Sequence, residues 1–329
     1  FDPAAIRSYI TFAVANLETE AVLLVGGDTY DYRNYLGFGG LSFIPSLYTP
    51  SGDIVSYAPA DGLFADADGD RIPEVAIGRF PVRTTADVEA LVAKTLQYET
   101  LIDRKSLLLA ADGYDAPTHF SFSQSSEELV ASVPPAWQID RVYLDAMSVA
   151  AARVALLSGL NDGVAVTSYM GHSGPIAWTF DGLFNNTDAA GLVNEDLPTV
   201  VLQWGCWTSY FVKPANNTLA HKLLLSGGSG AAAVLGATTL TEARSERALS
   251  LEIFSRIFEP GATLGQVVLE SKRSLAAGGD PGLLDVLVGW NLLGDPTLGI
   301  GGKGGVVTTD MPFENGFEIG DRPWSSIQQ

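Results

Sequence analysis

Two residues that could form a nucleophile and its base each stand at the end of an apolar run. Cys206, the only cysteine of the chain, ends a run that starts at Thr199, and His172, one of three histidines, ends a run that starts at Val164. Such runs predict buried strands, and parallel strands present the residues after their carboxyl ends at one edge of a sheet. A thiol beside an imidazole suits nucleophilic catalysis by cysteine. The alternative is that Cys206 is a small buried hydrophobic residue and His172 a loop residue bonded to backbone.

Strand-like runs alternate with helix-periodic segments along the chain, which predicts an α/β fold with a mostly parallel sheet flanked by helices. In the first part we expect strands at 21–25, 54–58 and 74–78, followed by a helix that starts at Thr84 and Thr85. In the second part we expect strands at 106–111, 138–144, 164–170, 199–204 and 230–237. Helices are expected there near 125–132, 149–157, 219–225, 244–258 and 264–276.

Composition excludes several classes of function. The 329 residues are 47% hydrophobic and 17% charged, which is typical of a globular protein. A net charge of −19 repels nucleic acid, so we expect no nucleic-acid partner. The longest apolar runs, such as residues 230–236, fall short of the ~18 residues of a membrane span, so we expect none. One cysteine means no internal disulfide, which leaves the compartment open.

Four carboxylates cluster in one short segment and suggest a structural metal site. Asp66, Asp68, Asp70 and Glu74 surround Gly69, and hard oxygen ligands of this kind suit Ca²⁺ better than zinc or copper. The spacing is not that of an EF-hand. The alternative is a tight turn before the strand at 74–78. We expect no cofactor to be required for the chemistry itself.

Two segments around the thiol and the imidazole resemble the active-site blocks of a known family. Tyr169-Met-Gly-His-Ser-Gly-Pro-Ile-Ala-Trp178 and Gln203-Trp-Gly-Cys-Trp-Thr-Ser-Tyr-Phe211 are similar to those of the gingipain-type cysteine peptidases, family C25. Further similar stretches follow in family order at 2–7, 23–28, 66–81, 94–99 and 292–298. The resemblance covers roughly residues 1 to 300 and implies the caspase-haemoglobinase fold of clan CD.

The resemblance also implies a domain organisation and a division of roles. We expect a smaller N-terminal α/β subdomain at 1–103, a catalytic subdomain at 104–300, and a Gly-rich linker and tail at 301–329. Cys206 would be the nucleophile and His172 the acid and base, with the backbone N–H groups of Ser173 and Cys206 as the oxyanion hole. The family usually has glycine where Ser173 stands. Asp112 matches an acidic residue that can orient the imidazole; the alternative is an Asp-Gly turn with Gly113.

Substrate contacts are expected from the segments that follow the strands. The resemblance implies an acid for a basic side chain before the scissile bond, and Asp115, Glu242 and Glu246 are the candidates, although Asp115 and Glu242 also read as solvated loop charges. Trp204 and Trp207, on either side of the cysteine turn, are further expected substrate contacts.

The predicted function is therefore a cysteine endopeptidase that cleaves peptide or protein substrates through an acyl-enzyme intermediate and prefers basic residues before the scissile bond. Two alternatives remain open: a transpeptidase, similar in role to a sortase-like maturation enzyme, and a catalytically silent binding module. Since the chain starts at Phe1 within a stretch similar to the family, we expect a piece of a longer exported precursor. The resemblance implies a secreted or cell-surface protein of a bacterium or archaeon.

Overall fold

An eight-stranded sheet organises the part of the chain that the computed structural model describes, residues 2–101, 104–215 and 218–300. The strands are β1 Ala21–Val25, β2 Tyr48–Thr49, β3 Ala58–Pro59, β4 Ala76–Phe80, β5 Ser106–Ala111, β6 Gln138–Tyr143, β7 Val166–Met170, β8 Ser173–Gly174, β9 Ala177–Trp178, β10 Phe184–Asn185, β11 Thr199–Trp204, β12 Ala231–Ala237 and β13 Trp290–Leu293. The α-helices are α1 Pro3–Asn16, α2 Thr85–Thr100, α3 Phe122–Leu129, α4 Val149–Asn161, α5 Asn186–Ala190, α6 Leu219–Leu225, α7 Ala243–Ile257, α8 Leu264–Ala277 and α9 Leu284–Gly289. Short 3₁₀ helices lie at Asp61–Phe64, Val130–Ser132 and Pro281–Leu283.

The main sheet has the strand order β1-β4-β13-β12-β11-β7-β5-β6. Its strands pair in parallel except for β12 and β13, which are antiparallel. Two groups of parallel strands therefore run in opposite directions and meet at that pair. The mostly parallel sheet with flanking helices confirms the predicted α/β class.

Both faces of the sheet are covered, as continuous apolar strands require. Along β5, Leu107 and Leu109 pack with residues of α3, α7 and α8, whereas Leu108 and Ala110 pack with residues of α2, α4 and α6. This alternation follows from the period of two along a strand. Every residue of β7, β11 and β12 is buried. The strands that carry the candidate site are thus the rigid centre of the fold.

The first hundred residues join the same sheet through β1 and β4. Arg79 on β4 is fully buried and donates two hydrogen bonds, of 2.8 Å and 2.7 Å, to the Asp61 carboxylate. The same guanidinium donates to the Gly26 and Ile44 carbonyl oxygens. This buried charge therefore ties the long segment after β1 to the sheet. The division of the chain at residue 103 stays a prediction, and the tail predicted at 301–329 lies outside the described residues.

One predicted strand is wrong. Residues 54–58 form a loop in which Ile54 is 83% exposed, and only Ala58–Pro59 pairs, in the two-stranded β2–β3 ribbon. Ser51, just before this loop, bonds to Thr239 in the segment after β12, and its N–H donates to the Val55 carbonyl oxygen. The short apolar run was misleading because neighbouring polar segments, rather than a sheet, hold this loop in place.

Candidate active site

Cys206 and His172 follow neighbouring parallel strands. Within the β7–β11 pair Trp204 lies opposite Met170, and the Gly171 N–H donates to the Trp204 carbonyl oxygen at 3.0 Å. The two strands therefore end side by side. His172 directly follows Gly171, and Cys206 lies two residues after Trp204. The predicted placement at one edge of the sheet is what the structure has.

The two turns are bonded to each other after the strands end. The Ser173 hydroxyl donates to the Cys206 carbonyl oxygen at 2.9 Å. A Cβ atom at Gly205 would lie 2.3 Å from the Ser173 Oγ and 2.4 Å from the Gly171 carbonyl oxygen, so only glycine fits where the turns touch. Ser173, where the family usually has glycine, thus helps to hold the two turns together.

Hydrogen bonds also hold the backbone of His172. Its carbonyl oxygen accepts from the Tyr169 hydroxyl at 2.5 Å and from the Thr179 N–H at 2.8 Å. The Tyr169 ring stacks on Trp178 with the ring centroids 4.4 Å apart. Hydrogen bonds from buried residues therefore fix the backbone to which the imidazole is attached.

The His172 ring lies between two aromatic rings and a carboxylate. Its centroid is 5.2 Å from that of Phe122 and 5.3 Å from that of Phe180, and its Nε2 is 3.6 Å from the Asp115 Oδ2. The His172 side chain is 42% exposed, so solvent and substrate can reach it. Asp115, expected in the substrate pocket, is thus placed beside the imidazole.

Asp112, predicted to orient the imidazole, is buried under the same turn. Its carboxylate accepts hydrogen bonds from the backbone N–H groups of Gly113 and His172. Burial raises the pKa of Asp112, while these bonds and the nearby His172 act against the rise. The structure therefore supports the Asp-Gly turn and shows contact with the His172 backbone.

The sulfur of Cys206 rests against Thr241 in the segment after β12. It lies 3.5 Å from the Thr241 Oγ1 and 3.6 Å from the Thr241 carbonyl oxygen. Burial raises the pKa of the Cys206 thiol, and the nearby Glu246 adds to the rise. Burial and Glu246 thus favour the thiol over the thiolate, whereas the contacts with Thr241 act against this.

Glu246, considered above as a pocket acid, is buried behind the thiol. It is 3% exposed, and its Oε1 lies within hydrogen-bond distance of the Thr241 Oγ1, at 2.5 Å. Burial raises the pKa of Glu246 to about 8. No signal in the sequence singled out Thr241, because its contact with Cys206 depends on how the segment after β12 folds back over the sheet edge.

The two tryptophans beside Cys206 have different surroundings. Trp204 is 0% exposed, donates from Nε1 to the Ser168 hydroxyl at 3.0 Å and stacks on Trp290, so the expectation that it contacts substrate is wrong. Its position on a central strand directs it into the core. Trp207 is half-buried, has a φ of 63° and packs edge-on against Tyr210. Of the two, Trp207 is the one that substrate can reach.

Glu242 lines a cavity on the far side of Thr241. The cavity has a volume of about 650 Å³, and its acidic lining residues are Asp53, Glu242 and Asp285. The Asp285 carboxylate accepts hydrogen bonds from the Glu242 N–H and the Ser245 hydroxyl, whereas Asp53 and Glu242 are exposed. Since Thr241 lines the cavity and contacts Cys206, the cavity adjoins the thiol.

The predicted metal ligands converge in the loop before β4. One carboxylate oxygen from each of Asp66, Asp68, Asp70 and Glu74 lies within 4.8 Å of the others. The loop is shaped by bonds to its own backbone, among them Gly69 N–H to the Asp66 Oδ1 at 2.7 Å. Arg7 on α1 also contacts the Asp66 carboxylate, at 3.3 Å. Four hard oxygen donors at this spacing fit a Ca²⁺ ion.

The flanked parallel sheet with a thiol and an imidazole at one edge is an architecture of cysteine peptidases. The family model for Peptidase family C25 matches residues 1–301. The chain therefore belongs to this family, which confirms the resemblance of its sequence blocks. No curated protein matches the sequence.

Solved structures share the fold. The complex of the pro- and mature domains of RgpB from Porphyromonas gingivalis is 19% identical, with a TM-score of 0.74, over 90% of this chain and 70% of that chain. The Arg-specific cysteine proteinase gingipain R (RgpB) gives the same identity and TM-score over 90% and 68% of the two chains. A structure described only as a protease is 16% identical with a TM-score of 0.68, over 91% and 68%. Among the described residues, the helices are too short or too polar to span a membrane.

Proposed function

We propose that this protein is a cysteine endopeptidase with Cys206 as nucleophile and His172 as acid and base. The observation that carries the proposal is that the sole thiol and an accessible imidazole follow the ends of the adjacent parallel strands β11 and β7. Acid and base assistance by a positioned histidine is typically worth roughly 10² to 10⁴ in rate. The rigid strands supply that positioning.

The reaction proceeds in two stages. The Cys206 proton passes to His172, the sulfur attacks the substrate carbonyl carbon, and the negative oxygen is held by the backbone N–H groups of Ser173 and Cys206. The imidazolium then protonates the departing amine, which leaves a thioester on Cys206. In the second stage water gives a proton to His172 and its oxygen attacks the thioester carbon. The carbon–sulfur bond then breaks, the imidazolium returns the proton to the Cys206 sulfur, and the carboxylic acid product leaves.

The resting contacts of the sulfur add a step before attack. Because the thiol is bonded to Thr241, we infer that it leaves this residue when it passes its proton to His172. The carboxylate of Asp115, 3.6 Å from the His172 Nε2, then stabilises the imidazolium. This role replaces the one expected for Asp112.

A basic side chain before the scissile bond fits the acidic cavity next to the thiol. Asp53 and Glu242 are exposed acids in a space of about 650 Å³, which is large enough for an arginine or lysine side chain. An ion pair in a partly desolvated cavity is worth about 1.5 to 3 kcal/mol, or one to two decades in kcat/KM. We therefore assign Glu242, rather than Asp115, to the basic preference.

Two further properties belong to the proposal. The carboxylates of Asp66, Asp68, Asp70 and Glu74 hold a structural Ca²⁺ that steadies the loop before β4. The RgpB structure contains pro- and mature domains, and we propose that this chain is likewise the catalytic part of a longer, exported precursor. Its partners are peptide or protein substrates.

The test is cleavage of a mixed peptide library, read by mass spectrometry, with the wild type and with Cys206→Ala, His172→Ala and Glu242→Gln. We expect cleavage after Arg or Lys by the wild type and none by Cys206→Ala. Glu242→Gln should lose the basic preference but still cleave neutral sites. Turnover by Cys206→Ala would contradict the mechanism, and a wild type that cleaves nothing would indicate a silent module.

An added amine separates hydrolysis from transpeptidation. Products that end in a free carboxyl group indicate attack by water, and products that carry the amine indicate a transpeptidase, because both reactions share the thioester and differ in what reaches it. Uniform cleavage without enrichment of basic residues would reject the role of Glu242 and leave the Cys206 chemistry standing.

A further inference from the structure

Thr241 joins the Cys206 thiol to a buried carboxyl group. Its Oγ1 lies 3.5 Å from the Cys206 Sγ and 2.5 Å from the Glu246 Oε1. Glu246 lies in the first turn of α7 and is 3% exposed, so solvent does not compete for this bond. One hydroxyl group thus stands between the candidate nucleophile and an acid that the mechanism has not used.

The direction of the Thr241 hydroxyl depends on the proton of Glu246. A threonine hydroxyl has one proton to donate, whereas a carboxylate can only accept. When Glu246 is ionised, Thr241 donates to it, and the Cys206 sulfur then faces two acceptors, the Thr241 Oγ1 and carbonyl oxygen. A sulfur in those surroundings keeps its proton.

Protonation of Glu246 allows that direction to reverse. The neutral carboxyl group can donate to the Thr241 Oγ1, which leaves the hydroxyl proton of Thr241 free for the sulfur. A hydrogen bond to the charged form of a group favours that form, so the thiolate of Cys206 becomes easier to form. The proton of the thiol still passes to His172, and no proton leaves Glu246 or Thr241.

We propose that Glu246 is a positioning residue that acts through Thr241: neutral Glu246 turns the Thr241 hydroxyl towards the Cys206 sulfur and supports the thiolate, and ionised Glu246 turns it away. The proposal rests on the proposed function, in which Cys206 is the nucleophile. It adds Thr241, from the segment after β12, and Glu246, from the first turn of α7, to the groups that act on Cys206.

Burial of Glu246, with a smaller contribution from its charged neighbours, sets the pH at which this change occurs. Burial raises the pKa of Glu246 to about 8, and Asp285 on α9 and Glu242 before α7 add to the rise, while the Thr241 bond lowers it. Tyr169 on β7 and Cys206 are the other titratable groups that interact with it. Glu246 is therefore neutral near pH 7, and the support for the thiolate is lost as the pH rises through about 8.

Alkylation of Cys206 by iodoacetamide as a function of pH tests this relay without any peptide substrate. Cys206 is the only cysteine, so the reaction reports one thiol. Glu246→Gln keeps a neutral donor to Thr241 at every pH. Its rate should match the wild type near pH 6.5 and exceed it about threefold to tenfold near pH 9.5, since removing a neighbouring negative charge favours the thiolate.

Substitutions of Thr241 provide the matched controls. Thr241→Val lacks the hydroxyl donor, so its Cys206 should be alkylated at least about threefold more slowly than that of the wild type near pH 6.5. Thr241→Ser keeps the hydroxyl and should match the wild type. A purely structural effect would change the rate by the same factor at all pH values. A constant ratio of Glu246→Gln to wild type, or a Thr241→Val that reacts like the wild type, would overturn the proposal.

The experiment also separates the two proposals. If the pH-dependent ratio is seen but no peptide is cleaved, the relay stands and the peptidase function fails. If peptides are cleaved but the ratio is constant, the function stands and Glu246 is only a buried acid of the core.

Discussion

The Nε2 atom of His172 lies 3.6 Å from the Oδ2 atom of Asp115, with the acid largely buried and the imidazole partly open to solvent. The loop that carries Asp115 follows β5, whereas His172 follows β7, the neighbouring strand. A carboxylate at this distance attracts the positive charge that the proposed mechanism places on His172. The contact therefore supports the proposed role of His172 as proton carrier.

Asp115→Asn should lower kcat/KM about threefold to tenfold, because the solvent-screened ion pair between Asp115 and His172 is worth about 1 kcal/mol. The loss should be the same for a substrate with Arg before the scissile bond and for one with a neutral residue there. Steady-state kinetics with the two substrates measures this. Asp162→Asn, at the end of α4, should have no effect on either. Loss confined to the Arg substrate would instead place Asp115 in the specificity pocket.

Gly205→Ala should abolish most activity. The new Cβ would lie 2.3 Å from the Ser173 Oγ and 2.4 Å from the Gly171 carbonyl oxygen, so the two turns that carry Cys206 and His172 must separate. A displacement of that kind costs about 100-fold in kcat. The control is Gly174→Ala, where the Cβ meets no atom within 4 Å. Similar kcat values for the two variants would show that the turns are not held by this contact.

Asp61→Asn should destabilise the fold by about 3 to 5 kcal/mol, because it leaves the fully buried Arg79 without its counter-charge. Urea unfolding followed by circular dichroism measures the free energy. Glu270→Gln removes one partner of an exposed pair with Arg273 and should cost less than about 1 kcal/mol. Equal costs for the two substitutions would mean that burial of the Asp61 pair is unimportant.

A chelator should lower the melting temperature by a few degrees, the size of shift that corresponds to about 1 kcal/mol in a chain of this length. Asp68→Ala should melt at the same temperature with EGTA and with millimolar calcium, because it removes one of the four converging carboxylates. Asp53→Ala, an exposed acid elsewhere, should respond like the wild type. Identical wild-type melting curves in both conditions would leave the cluster as a solvated turn.

Part of this site could be predicted from the sequence because it depends on local patterns. The apolar runs before His172 and Cys206 predict strands, and parallel strands bring the residues that follow them to one edge. Asp115 and Glu246 were assigned to a pocket instead, since their positions depend on the paths of two loops and on the packing of α7. Burial of an acid such as Glu246 is a tertiary property that composition does not reveal.

The same limit applies to the fold. The helix after Thr84 was predicted from its capping signal, and the structure has that capping box with Asp87. The sequence pattern did not predict helix α1. It did not predict strand β13 either, which was described only as part of a stretch similar to the family. Its antiparallel pairing with β12 joins residues far apart in sequence, which no local pattern contains.

The position of β13 has a consequence for how the protein is made. Because β13 lies between β12 and β4, the edges of both neighbours stay unpaired during synthesis until residue 293 has left the ribosome. The nascent chain can assemble β5, β6, β7, β11 and β12, with Cys206 and His172 among them, before the first two strands of the sheet are attached to them. β13 is therefore the last strand of the sheet to be synthesised, and a chain that stops short of it leaves one edge of β12 and one edge of β4 unpaired, where other chains can associate.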